Sequence, residues 1–289
     1  RVTGIRVEAA AGRAPGTFWP LHVETESSGE FPCKRVVLAT GGMSYPETGS
    51  SGDGHALARS LGHRVAPARP AEVGLTAESP AVRALAGVAL EDAIVTAGKD
   101  SVRGALLFTH FGLSGPAILD LSRMVARRGG NAQFDLEIDL FPDRSADMMD
   151  ADLAAAFGAH GGRAASRIVG AWMPERLARL AVAVSGIDDG QAARVAAANR
   201  RRLASTLKAL PVRVTGSRGF AEAVVTVGGV DLRDVDPKTM ASRLVPGVHF
   251  AGELMDLDGP RGGFNLQIAW STGWAAGRAA ALPQEPDAD

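Results

Sequence analysis

Apolar and polar residues alternate between positions 2 and 8, which predicts a strand with one face in water. A second strand is expected over 17–25, beyond the turn-forming residues 12–16. At 35–40 the pattern changes, because Val36, Val37 and Leu38 form an unbroken apolar run. Such a run predicts a strand buried on both faces, as in a parallel sheet. The glycine-rich stretch 41–54 reads as a loop. A short helix is expected over 54–61, with Asp53 as N-cap and Gly62 as its stop. Beyond Pro67 and Pro70, β-like runs at 93–96, 105–108 and 134–138 accompany a helix near 114–128, for which Ser114 is the expected cap. Residues 145–210 carry alanine and arginine at helical spacing, with a break at 172–174. The β pattern returns at 221–227 and 248–251, an alanine- and glycine-rich helix follows over 265–281, and 284–289 is a polar tail.

The order strand, glycine turn, helix occurs at 34–62 and again at 246–281, around a middle of different character. This layout predicts an α/β fold in which one domain is interrupted by an insert. The expected division is 1–71 and 226–289 for the α/β domain and 72–225 for the insert, with a β part at 72–142 and a helical part at 143–212.

A chain of 289 residues with 46% hydrophobic and 22% charged residues has the composition of a globular enzyme of about two domains. The net charge of −1 sets up no global field for nucleic acid or an anionic membrane. A small-molecule substrate is therefore expected, with neither nucleic acid nor membrane as partner. The run Arg200, Arg201, Arg202 reads as a solvated helix face. Cys33 is the one cysteine, which excludes an intramolecular disulfide and a redox dithiol and fits a reducing, cytoplasmic compartment. No apolar run reaches the ~18 residues that would span a bilayer. His55, His63 and His160 lack ligand spacing, and His110 and His249 lie far apart with no cysteine cluster nearby, so no metal is expected. Hydrolase and P-loop readings find no G-x-S-x-G or Walker motif.

Three glycine motifs carry the candidate chemistry. Ala39-Thr40-Gly41-Gly42 closes an apolar strand, where glycine lets a ligand approach the backbone or simply makes a tight turn. Phe250-Ala251-Gly252-Glu253 ends a second strand on a carboxylate, able to accept hydrogen bonds from hydroxyls or to lie at the surface. Asp258-Gly259-Pro260-Arg261-Gly262-Gly263 leads into a helix beginning Phe264-Asn265-Leu266-Gln267. Unpaired N–H groups and the helix dipole favour negative charge there, although glycines also serve a plain helix start. Weaker signals are His110, either a structural histidine or a proton donor, and Thr226-Val227-Gly228-Gly229-Val230, either a cofactor contact or a bulge.

Taken together and in this order, the three motifs resemble the two-dinucleotide-fold flavoproteins. The stretches 36–63, 106–122, 226–259 and 262–277 narrow the resemblance. They are similar to the BaiN-like family of NAD(P)/FAD-dependent oxidoreductases, also called YhiN-like or aminoacetone oxidase-like. The resemblance implies a Rossmann-like FAD/NAD(P)-binding domain and flavin-mediated hydride transfer, with NAD(P)H as reductant and an organic substrate or oxygen as acceptor. It maps the flavin ring onto Gly262, Gly263, Phe264, Asn265, Leu266 and Gln267, the ribityl-phosphate region onto Gly252 and Glu253, and a backbone contact onto Thr40, Gly41 and Gly42. The G-x-G-x-x-G turn that opens such folds does not occur in this sequence, so the first βαβ unit and its pyrophosphate cradle are expected upstream of Arg1. Two alternatives stand beside the enzyme reading: a flavin-binding module acting through partners, and a nonfunctional fragment.

Overall fold

The computed structural model describes residues 1–8, 20–129 and 133–281. The turn expected at 12–16, the start of the strand expected over 17–25 and the polar tail at 284–289 lie outside the described residues. The chain forms two compact units, Arg1–Ala71 with Phe220–Asp289, and Glu72–Gly219.

The first unit opens with an antiparallel meander of β1 (Val2–Val7), β2 (Leu21–Thr25) and β3 (Gly29–Cys33). The sequence pattern did not predict β3, because GEFPC has no alternation and contains proline. Its place at the sheet edge, paired with β2 alone among the described residues, is where Pro32 costs no ladder bond. β4 (Val36–Leu38) precedes the glycine loop and α1 (Asp53–Ser60), and β5 (Val65–Ala71) leads out of this unit. α1 is capped by Gly52 in a left-handed conformation (φ 83°) rather than by Asp53. Asp53 is the first helical residue and pairs with Arg1, while its charge still complements the helix dipole.

The second unit is built on a closed six-stranded barrel. Its elements run β6 (Leu75–Ala77), α2 (Pro80–Arg83), β7 (Ala89–Ala97), β8 (Asp100–Phe108), β9 (Gly112–Ser114), α3 (Pro116–Arg127) and β10 (Phe134–Asp139). They continue with α4 (Ala146–Ala159), α5 (Ala165–Val169), α6 (Glu175–Val184), α7 (Ala197–Lys208) and β11 (Leu210–Ser217). Around the barrel the order is β10-β11-β6-β9-β8-β7, and closure leaves no strand edge exposed. Fully buried Phe108, Leu136, Ile138, Leu153, Leu177 and Leu203 belong to one apolar cluster, so barrel and helices share a core. β11 falls partly in the stretch expected to be helical. Its buried Leu210, Val212 and Val214 alternate with exposed neighbours, a period-2 pattern that follows directly on the helical one. Ser114 lies in β9, and Gly115 (φ 92°) caps α3 with Pro116 at the first helical position.

The chain returns through β12 (Val225–Val230), β13 (Val248–Phe250) and α8 (Phe264–Ala281). β12 pairs antiparallel with β5, and β13 pairs parallel with β4. Val37 is 36% exposed, so β4 buries one face rather than the expected two. A second core, including Leu38, Leu57, Val248, Phe250 and Ala276, joins β4, α1, β13 and α8. No helix among the described residues is long and apolar enough to cross a membrane.

Candidate cofactor site

Because β4 and β13 run parallel, the residues that follow them leave the sheet at the same end. Thr40, Gly41 and Gly42 follow β4, and Gly252 and Glu253 follow β13. The backbone N–H of Ala251 donates to Leu38 O at 2.9 Å, extending the pairing beyond the strands. Gly252 N donates to Thr272 Oγ1 at 2.9 Å, which ties the end of β13 to α8.

Glu253 is the centre of a compact network. Its Oε1 accepts from Thr226 N at 2.7 Å. Thr226 Oγ1 accepts from Met43 N at 2.8 Å and Ser44 N at 3.1 Å, and lies 3.0 Å from Ser44 Oγ. A Cβ on Gly42 would stand 2.4 Å from both Glu253 Oε1 and Thr226 Oγ1, so only glycine fits. Burial pushes the Glu253 carboxyl above the ordinary glutamate range. The bonds from Thr226 oppose that rise, and nearby Asp258 adds to it. The sequence motifs single out neither the Thr226 side chain, whose motif points to its glycines, nor Ser44. Their signal was limited to a hydroxyl beside each glycine pair, in Gly42-Met43-Ser44 and Thr226-Val227-Gly228-Gly229.

The glycines of β12 form a bulge. The β5–β12 register shifts between Val227 and Gly229. A Cβ on Gly228 would meet Pro67 O at 2.3 Å, and one on Gly229 would meet Leu254 O at 2.4 Å. Both glycines thus serve close backbone packing, the bulge alternative of the sequence reading.

At the start of α8, Gly262 and Gly263 adopt φ of 108° and 90°. No described residue comes within 4 Å of a Cβ at Gly263, so its demand for glycine is conformational. Asn265 closes the preceding loop on itself: Oδ1 accepts from Gly259 N at 2.8 Å and Nδ2 donates to Gly259 O at 3.1 Å. Gln267 Nε2 donates to Ser271 Oγ at 2.9 Å, while Phe264 and Leu266 are exposed. The side chains of Asn265 and Gln267 therefore hold loop and helix. The N–H groups of the first turn, which have no acceptor within the helix, are what α8 offers a ligand.

His55 of α1 is buried, and its Nε2 has no hydrogen-bond partner among the described residues. Burial lowers its pKa, which keeps the ring neutral. His110 lies in the second unit between β8 and β9, exposed, with its ring centroid 5.1 Å from that of Phe111.

A parallel β-pair whose strands end in glycine turns, with a long helix starting from a glycine pair, is the strand-end arrangement of Rossmann-type nucleotide-cofactor folds. Comparison with known proteins gives the family. Residues 15–279 match the family described as HI0933-like protein Rossmann domain, and the chain belongs to that family, an FAD-dependent oxidoreductase family that includes BaiN-like proteins. It is 35% identical over 246 residues to a ribosomal RNA dihydrouridine synthase of Escherichia coli, an alignment covering 84% of this chain and 60% of the relative. It is 33% identical over 290 residues to a 3-dehydro-bile acid delta(4,6)-reductase of Clostridium scindens, covering 96% of this chain and 68% of the relative. A ribosomal RNA dihydrouridine synthase of Haemophilus influenzae is 31% identical over 251 residues, covering 86% and 61%. The chain thus spans about three fifths of the length of the two synthases.

Proposed function

We propose that this protein is an FAD-dependent reductase that uses NAD(P)H to saturate a carbon–carbon double bond conjugated to a carbonyl, in the cytoplasm. The packing of Gly42 on Glu253 and Thr226 at the end of the β4–β13 pair, with the Gly263 turn opening α8, supports the cofactor reading. A side chain on Gly42 would collide with Glu253 and Thr226, so glycine here lets the loop after β4 close on the buried carboxyl. The carboxyl of Glu253 has an acceptor for a ribityl or ribose hydroxyl, and the first-turn N–H groups of α8 favour the anionic edge of a reduced flavin ring. When bound, the flavin supplies two-electron hydride chemistry that side chains lack.

The reaction class follows from the relatives' names. Dihydrouridine is uridine saturated at a double bond conjugated to a carbonyl, and a delta(4,6)-reductase acting on a 3-dehydro compound saturates double bonds of the same kind. The chain's residues would bind and orient the cofactor and exclude water around it. A small conjugated ketone is the substrate class we favour, on the near-neutral charge of the chain. Uridine in ribosomal RNA is the second reading, favoured by two of the three relatives.

The test is anaerobic and uses FAD-loaded protein. NADPH and NADH are each expected to be screened by bleaching of the flavin band, and one should bleach it. Adding a conjugated 3-oxo steroid dienone should restore the band and yield product two mass units heavier. Restoration by ribosomal RNA alone would select the second reading. A band restored by neither acceptor would overturn the proposal.

A further inference from the structure

We infer that Tyr45 is the proton donor of this reduction, delivering the phenol proton to the carbon α to the substrate carbonyl. The inference rests on the double-bond-reduction reading above.

Tyr45 is the single tyrosine of the chain. Its backbone lies in the left-handed region (φ 51°, ψ 63°), which bulky residues rarely enter. The surroundings impose that conformation from both sides. Tyr45 N donates to Phe220 O at 2.9 Å, and Tyr45 O accepts from Thr48 N at 2.9 Å and Thr48 Oγ1 at 2.7 Å. The preceding residue, Ser44, is buried and bound to Thr226 Oγ1 through both its amide and its hydroxyl. Thr226 in turn donates its N–H to Glu253. Tyr45 is therefore one Cα–Cα step, about 3.8 Å, from the network that holds the site carboxylate.

Glycine would fill this turn without conformational cost, as Gly49 and Gly52 do on the same loop with φ of 99° and 83°. Core packing does not explain the tyrosine either, because the residue is 49% exposed. A strained backbone that presents an exposed phenol, five residues beyond Thr40 on the loop leaving the cofactor end of β4, points to a task for the hydroxyl. Two other candidates fit less well. His55 is buried and kept neutral by its burial. Glu253 is engaged with Thr226.

The step balances. A hydride, two electrons and a proton from the reduced flavin, adds at the β carbon, and the π pair shifts to form an enolate. The phenol O–H bond then breaks, and the enolate pair takes its proton to form the C–H bond at the α carbon. Water reprotonates the phenolate.

The experiment uses FAD-loaded Tyr45→Phe and Tyr45→Gly proteins. In Tyr45→Phe, bleaching by NAD(P)H and reoxidation by oxygen should match wild type. Anaerobic reoxidation by the steroid dienone should fall by roughly 100-fold or more, the contribution of a positioned general acid. A second readout does not depend on turnover: tyrosine quenches flavin fluorescence by short-range electron transfer, so Tyr45→Phe should lengthen the flavin lifetime at unchanged FAD content. Tyr45→Gly should show the same loss of dienone reduction with an unchanged or raised melting temperature, because the strain is relieved. Dienone reoxidation of Tyr45→Phe at the wild-type rate, an unchanged lifetime, or an equal loss in bleaching and oxygen reactions would each overturn the assignment. A wild-type protein that no conjugated acceptor reoxidises would instead sink the reaction class itself.

Discussion

Glu253 shows how a residue's surroundings set its chemistry. Burial raises its pKa, and the Thr226 N–H partly offsets that by stabilising the carboxylate. Its motif, an apolar strand ending in Gly-Glu, was legible in the sequence. Its partner was not, because Thr226 stands 27 residues away and no local pattern links the two. In FAD-loaded protein, Glu253→Ala should weaken FAD retention by about 1.5–3 kcal/mol, the cost of losing a charged hydrogen-bond acceptor. That is roughly a 10- to 150-fold rise in Kd. Glu47→Ala, on the exposed turn of the loop after β4, should leave Kd unchanged. Equal dissociation constants measured by fluorescence titration would refute the role of Glu253.

At the scale of elements, α8 and β11 show where periodicity succeeds and where it stops. The helix expected over 265–281 forms over Phe264–Ala281, because alanine-rich sequence with a glycine pair before it has one clear reading. β11 was hidden, since its alternation abuts helical sequence, and β3 was hidden by its proline. The glycine pair before α8 was legible as a helix start, but only the structure separates its reason from that of other glycines. Gly42, Gly228 and Gly229 are demanded by close contacts, whereas Gly263 is demanded by φ alone. Gly263→Val should therefore distort the turn without a clash. The expected outcome is loss of FAD, or a fall in its reduction potential of about 30 mV for each ~1.4 kcal/mol of lost N–H stabilisation of the reduced form. Spectroelectrochemical titration beside a thermal melt reads both. A lowered melting temperature with unchanged potential and FAD content would make Gly263 structural only.

At the scale of the whole molecule, the first unit is assembled from two stretches separated by the whole of the second unit. Its halves are joined by the β4–β13 and β5–β12 pairings, by Thr226 on the 43–44 loop, and by Arg64 on Asp234. Asp234 is 6% exposed and accepts from both the backbone and the guanidinium of Arg64. The guanidinium bond leads in holding its pKa below the ordinary aspartate value. The folded state then binds fewer protons than the unfolded chain, so this contribution is complete above the ordinary aspartate range, near 4, and fades as pH falls through the lowered folded value. Urea midpoints should drop on acidification across that window, and Asp234→Asn should flatten the drop while lowering stability at neutral pH. An identical acid slope in the variant would remove Asp234 from the account.

The sequence by itself determined the α/β character of the ends, the different middle, the glycine–helix start of α8 and the strand-end motifs, because each is written in residues within one or two turns of each other. Closure of the barrel, the single buried face of β4 and the Glu253–Thr226–Ser44 network were decided only by tertiary structure. Each of them depends on which distant segments become neighbours, and a hydrogen bond or a buried face exists only once both partners are in place.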